Sequence, residues 1–136
     1  MIDHSNIAPA GRTVLIVDDD PAVLNSLQFC LEIEGFVVRT YSSGSDLLND
    51  QNVPQSGCLV IDYRLPSMNG LDLLSELRRR KIMLPAILVT THPSMSMRAQ
   101  TAAAGAVLIE KPLLNEALFE GIRAAMRSSG SRLPSP

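Results

Sequence analysis

Tryptophan is absent from this chain of 136 residues, and aromatic side chains make up only 4% of it. Any core must therefore be aliphatic. Only two cysteines occur, Cys30 and Cys58, both inside apolar stretches. They make no disulfide framework and suit a reducing compartment, so a cytoplasmic location is expected. No apolar run approaches the ~20 residues that a membrane span needs. Met1 to Gly11 has neither a basic cluster nor the apolar centre of a signal peptide. Positive charge is short as well: 12 Lys and Arg face 14 Asp and Glu, a net charge of −2. Holding a nucleic acid needs a basic surface, so no direct nucleic-acid partner is expected.

What is present is a folding chain, 46% apolar, of a length that suits one core and not two. Residues 1–11 read as a flexible leader, 12–127 as one domain and 128–136 as a flexible polar tail. Short β-branched or aliphatic runs predict strands over 13–17, 36–40, 58–61, 86–89 and 106–109. Helical spacing predicts helices from Pro21 to about Glu34, Ser45 to about Gln51, Gly70 to Lys81, Ser94 to Ala104 and Leu113 to about Arg127. Asp20-Pro21 is a cap followed by a first-turn proline. Gly35 and Gly105 are helix stops. Five strand-then-helix units predict an α/β fold: a flavodoxin-like (βα)5 doubly wound parallel sheet with strand order 2-1-3-4-5. Ligands in such sheets bind at the carboxyl ends of the strands, where the order switches.

That rule selects Asp18 and Asp19 after strand 1, Asp62 after strand 3, Thr90 after strand 4 and Lys111 after strand 5. Taken singly, each has an ordinary explanation. A strand-end aspartate is usually a cap or turn former, a threonine an ordinary strand end, a lysine a solvated charge. Asp20 is best read as a cap. Together they say more. Three crowded carboxylates cannot all ionise cheaply. A hard cation such as Mg²⁺, which takes a few carboxylates with waters and phosphate oxygens, relieves them. Lys111 adds a point charge for a phosphoryl group and Thr90 a hydroxyl donor. The set is that of a phosphoryl-handling site.

The segments Val14-Leu15-Ile16-Val17-Asp18-Asp19-Asp20, Ile61-Asp62-Tyr63-Arg64-Leu65-Pro66-Ser67-Met68-Asn69-Gly70, Val89-Thr90 and Glu110-Lys111-Pro112 resemble the CheY-like receiver domain of bacterial two-component response regulators. Thr90-Thr91-His92 and Gly105-Ala106-Val107 look most like its FixJ-type branch. The resemblance implies that Asp62 accepts a phosphoryl group from a phosphohistidine on a sensor histidine kinase or phosphotransfer protein. It implies Mg²⁺ held by Asp18, Asp19, Asp62 and the backbone carbonyl of Arg64. Lys111 would neutralise phosphoryl oxygens, Thr90 would move to bond them, and the Lys111-Pro112 bond would be cis. Helix 1 would dock the kinase, and a homodimer through the last two units is possible.

The chain departs from the pattern at Leu108, where receivers usually carry a switching aromatic, and the stretch from Gly105 to Lys111 is one residue short. Thr91 stands where a smaller residue is common. Arg64 and His92 lie where they would flank the phosphoryl group; Arg64 is expected to shield it or to pair with an acid at rest. Met95 and Met97 are either a partner surface or core. Cys30 and Cys58 are expected to be buried packing residues. The leading expectation is a stand-alone receiver, not an enzyme acting on outside substrates. The alternatives are a receiver-shaped scaffold indifferent to phosphate, a small metal-dependent phosphatase, and the receiver part of a longer transcription factor. Arg64 stands where a phosphatase would need a second acid, which argues against the phosphatase.

Overall fold

A computed structural model describes residues 12–111 and 116–131, with side chains of the last helix described through Arg127. The expected leader, the Lys111-Pro112 bond and residues 132–136 lie outside the described residues. Ten elements alternate along the chain: β1 (Thr13–Val17), α1 (Pro21–Ile33), β2 (Val37–Tyr41), α2 (Gly44–Leu48), β3 (Cys58–Asp62), α3 (Gly70–Arg79), β4 (Ala86–Thr90), α4 (Met95–Ala103), β5 (Val107–Glu110) and α5 (Glu116–Ser131). The sheet order is β2-β1-β3-β4-β5, all parallel, as the alternation predicts.

Strand alternation divides the core into two layers. Val14 and Ile16 of β1, Cys58 and Val60 of β3, and Ile87 and Val89 of β4 face Leu24, Leu27 and Leu31 of α1 and Leu118 and Ile122 of α5. Leu15, Val17, Leu59, Ile61, Ala86 and Leu88 face the other way, against Leu47 of α2, Leu73, Leu74 and Leu77 of α3, and Met97 of α4. The three central strands are thus apolar on both faces, which is why they read as continuous runs rather than alternating ones. Of the two methionines, Met97 is core and Met95 is 88% exposed. Cys58 is fully buried, and burial pushes its thiol up to about 12, so it is an inert packing residue. Cys30, expected to be buried, is only partly so, because it sits at the flank of α1 rather than on its sheet-facing stripe.

Four helices start on a side-chain cap: Asp20 accepts from Ala22 N, Ser43 from Asp46 N, Asn69 from Asp72 N and Ser94 from Met97 N, at 2.8–3.1 Å. Three end alike. In each, the amide two residues beyond the cap reaches back across the last turn: Phe36 N to Leu31 O, Ile82 N to Leu77 O and Ala106 N to Thr101 O. This closure needs a left-handed residue. Gly35 (φ 94°) and Gly105 (φ 75°) supply it in α1 and α4, but in α3 it is Lys81 (φ 68°). That is why α3 ends at Arg79, short of the Lys81 that the sequence predicts. Its basic run Arg78-Arg79-Arg80-Lys81 then lies where the chain turns back into β4, at the edge where the strands begin.

α5 runs to Ser131, four residues into the expected tail (131 against 127). Serines and a glycine weaken a helix, but no proline blocks propagation before Pro134. α2 is shorter than the spacing predicts, ending at Leu48, because Asp50 leaves the helical path. Asp50 accepts from the Tyr41 hydroxyl at 2.5 Å and pairs with Arg39 at 3.4 Å.

Replacing Lys81 by glycine removes the Cβ strain of the left-handed residue, partly offset by a more flexible unfolded chain. Lys81→Gly is expected to stabilise the protein by about 0.5 kcal/mol, seen as a higher urea midpoint at unchanged slope.

Candidate functional site

Parallel strands bring their carboxyl ends to one edge, and the expected residues assemble there. Asp18 follows β1, Asp62 ends β3, Thr90 ends β4 and Lys111 follows β5. Backbone bonds lock these ends together: Asp18 N donates to Tyr41 O at 3.1 Å, Tyr63 N to Val89 O and Lys111 N to Thr90 O, both at 2.8 Å. Strand 2, which offers no evident site residue in the sequence, thus holds the Asp18 turn through the Tyr41 carbonyl.

Asp18 and Asp62 are 2% and 7% exposed. They are held in the same way. One oxygen of each accepts the amide two residues on: Asp20 N to Asp18 Oδ1 at 2.9 Å, and Arg64 N to Asp62 Oδ1 at 3.1 Å. The other oxygen of each faces Lys111, whose Nζ lies 3.4 Å from Asp18 Oδ2 and 3.4 Å from Asp62 Oδ2. The exposed Asp19 completes a cluster in which one oxygen from each of the three acids lies within 4.8 Å of the others.

Burial pushes the Asp62 carboxyl above the ordinary carboxylate range, and the Asp18 charge pushes it further. The Arg64 amide and Lys111 offset this only in part. Burial alone would lower Lys111, but the carboxylates of Asp62 and Asp18 outweigh it, so its pKa is raised and the ammonium persists. Three carboxylates against one ammonium leave an excess of two negative charges when all are ionised. The donors are hard oxygens, partly open to solvent at Asp19. This suits a hard divalent cation and no soft one.

The hydroxyl of Thr90 is buried and, among the described residues, has no hydrogen-bond partner. A buried orphan donor costs free energy, so it needs an explanation. A phosphoryl oxygen presented to Asp62 would supply the missing acceptor. Thr91 and His92 beyond it are exposed. Arg64 is exposed, and among the described residues no acid lies within ion-pair range of its guanidinium. The expected resting pair is therefore not present; its backbone instead bridges Asn69.

Gly70, which starts α3, is part of the site in a way its place in the sequence does not reveal. A Cβ there would lie 2.8 Å from the Asp62 carbonyl oxygen and 3.1 Å from Tyr63 Cα. Only glycine lets α3 begin against the backbone of the buried acid, where Gly70 N donates to Tyr63 O. Tyr63 is a second omission of the sequence reading. An aromatic directly after a strand-end acid, in a chain with five aromatics, was a usable signal.

A family model described as the response regulator receiver domain matches residues 14–123. The chain belongs to that family, the receiver domain of two-component response regulators. It is 38% identical over 123 residues to the response regulator protein TodT of Pseudomonas putida, covering 90% of this chain and 54% of TodT. It is 40% identical over 114 residues to the transcriptional regulatory protein FixJ of Rhizobium meliloti, covering 83% and 56%. The chain therefore spans about half the length of these curated relatives. Among solved structures, FixJ-N superposes with a TM-score of 0.77 at 36% identity, covering 91% of this chain and 97% of that one. A CheY-like receiver domain protein from Methanospirillum hungatei gives 0.80 at 28% identity, covering 90% and 98%. Among the described residues no helix is long and apolar enough to cross a membrane.

A carboxyl whose pKa is raised on folding stabilises the fold only below its unfolded value, and works against it as the pH rises through the folded one. Metal-free Asp62→Asn is therefore expected to unfold at higher urea than the wild type at pH 7, with the gap closing as the pH falls through the raised folded value toward about 4. Gly70→Ala is expected to destabilise by about 2 kcal/mol or more, since backbone must move to admit the methyl group. Paired urea melts in chelator check both.

Proposed function

We propose that Asp62 accepts a phosphoryl group from a phosphohistidine on a sensor histidine kinase or phosphotransfer protein, and that the loaded chain signals through its protein contacts. The observation that carries this reading is the Lys111 ammonium equidistant from two buried carboxylates. It is a charge poised for a group those carboxylates alone would repel. A carboxylate oxygen of Asp62 forms a bond to phosphorus as the nitrogen–phosphorus bond breaks. The electron pair of that bond leaves with the imidazole of the partner. The transition state is loose, and the protein contributes position and charge. Lys111 takes up negative charge on the phosphoryl oxygens, and the Thr90 hydroxyl donates to one of them. Asp18, Asp19 and Asp62, with the Arg64 carbonyl, are the residues that would hold Mg²⁺; when bound, it supplies further neutralisation of those oxygens. The chain is thus its own substrate and turns over nothing else, which sets it apart from an enzyme.

The exposed guanidinium of Arg64, unpaired among the described residues, is free to lie over the loaded Asp62 and restrict water. The scaffold reading, indifferent to phosphate, leaves the buried acids and the orphan Thr90 hydroxyl without a purpose. A second reading concerns extent. TodT and FixJ are about twice as long as their matched parts, which favours a receiver acting within a longer regulator over a stand-alone one. The size of the natural protein in a denaturing gel decides between them.

Incubation with acetyl phosphate and Mg²⁺ is expected to add one phosphoryl group by intact mass. Asp62→Asn and a chelator are each expected to abolish the adduct. Arg64→Ala is expected to change the half-life of the adduct at least about twofold, followed by the same mass measurement. An adduct on Asp62→Asn, or none on the wild type with no beryllofluoride binding either, sinks the assignment.

A further inference from the structure

The residue after Asp62 connects this edge to a separate helix. Tyr63 is 9% exposed and its backbone is pinned on both sides, to Val89 and to Gly70. Its ring joins the core layer under α3 and α4, with Leu88 and Met97 among its neighbours there. Its hydroxyl donates to Gln100 Oε1 on α4 at 3.3 Å, 37 residues along the chain. It is thus one rigid side chain away from Asp62 on one side and bonded to a separate helix on the other.

That helix is lightly held. Of its nine residues only Met97 and Thr101 are buried, and the Thr101 hydroxyl has no partner among the described residues. α3, one residue longer, buries four. The first turn of α4 carries no acid and its last turn no base, so its dipole is unsupported. A short loop joins it to Thr90, whose own hydroxyl is unpartnered. Any movement of Thr90 toward a group on Asp62 pulls on the start of α4. At 3.3 Å the Tyr63–Gln100 bond is already near the long limit, so roughly half an ångström of displacement breaks it. Leu108, also packed in this layer, has no polar atom with which to replace it.

We propose that the Tyr63–Gln100 hydrogen bond is the tie that holds α4 in its resting place, and that loading of Asp62 is transmitted to the surface by releasing it. Tyr63 is here a positioning residue for α4, not a catalytic one. The inference rests on the phosphoacceptor reading of Asp62 and adds the element that reads its state. A bond present only in the resting state opposes loading. By reciprocity, removing it must tighten binding of whatever loads Asp62.

The test measures beryllofluoride affinity in the presence of Mg²⁺ for the wild type, Tyr63→Phe, Gln100→Ala and the double variant. Each single variant is expected to bind about two- to tenfold more tightly, the worth of one partly buried hydrogen bond. The double variant is expected to gain no more than either single one, because both remove the same bond. Amide exchange of residues 95–103 in the unloaded protein is expected to quicken in both single variants. Gln100 is exposed and remote from the acids, so Gln100→Ala guards against a local fault at Tyr63. Unchanged or weakened affinity in the single variants, with the wild type binding normally, overturns this inference alone. A wild type that binds no beryllofluoride overturns the phosphoacceptor reading, and this inference with it.

Discussion

The structure turns on one ammonium group between two buried carboxylates. Without Lys111, Asp18 and Asp62 would stand together with no cation between them, and the Asp62 carboxyl, already raised by burial, would be pushed up further. With it, two ionised acids can sit at the centre of the sheet's carboxyl edge, and the surroundings are arranged to keep them there. Each acid gives one oxygen to a backbone amide two residues on, which fixes its rotamer and leaves the other oxygen for chemistry. Gly70 has no side chain, so α3 can start against the Asp62 carbonyl. The lysine does not complete the neutralisation. The remaining negative charge suits the edge to a divalent cation.

The rigid frame and the adjustable part of the molecule are separate. β1, β3 and β4 are buried on both faces and carry the acids and Thr90. α4, which follows the strand next to β3, is fastened by two buried side chains, a serine cap and the Tyr63 hydroxyl. An event at Asp62 has little room to distort the sheet. It has more room to shift a helix whose hold is of the order of a few weak contacts.

Much of this was legible in the sequence. Asp18, Asp62, Thr90 and Lys111 each stand at the end of an apolar run, and the parallel alternation alone brings such ends together. The glycine stops of α1 and α4 and the Asp20 cap were likewise readable, since they depend on neighbours close in the chain. What escaped depends on neighbours distant in the chain. The need for glycine at 70 comes from the Asp62 backbone, and the use of Tyr63 comes from Gln100. Lys81 escaped for another reason. A lysine in the left-handed conformation goes against its local preference, and no periodicity announces it. The resting pair, one of the two roles expected for Arg64, finds no acid among the described residues, where the side chain is exposed.

The basic end of α3 has a wider consequence. Arg78, Arg79, Arg80 and Lys81 carry four positive charges to the edge where the strands begin, and among the described residues only Glu76 pairs with any of them there. Asp18, Asp19 and Asp62 stand together at the opposite edge. A net charge of −2 therefore conceals a separation of charge along the strand direction. Such a molecule feels a torque in the field of a charged neighbour before any surface touches. A partner with a positive rim around its phosphorylated histidine would meet this protein already turned with its acidic edge forward. Dissolved salt would blunt that alignment.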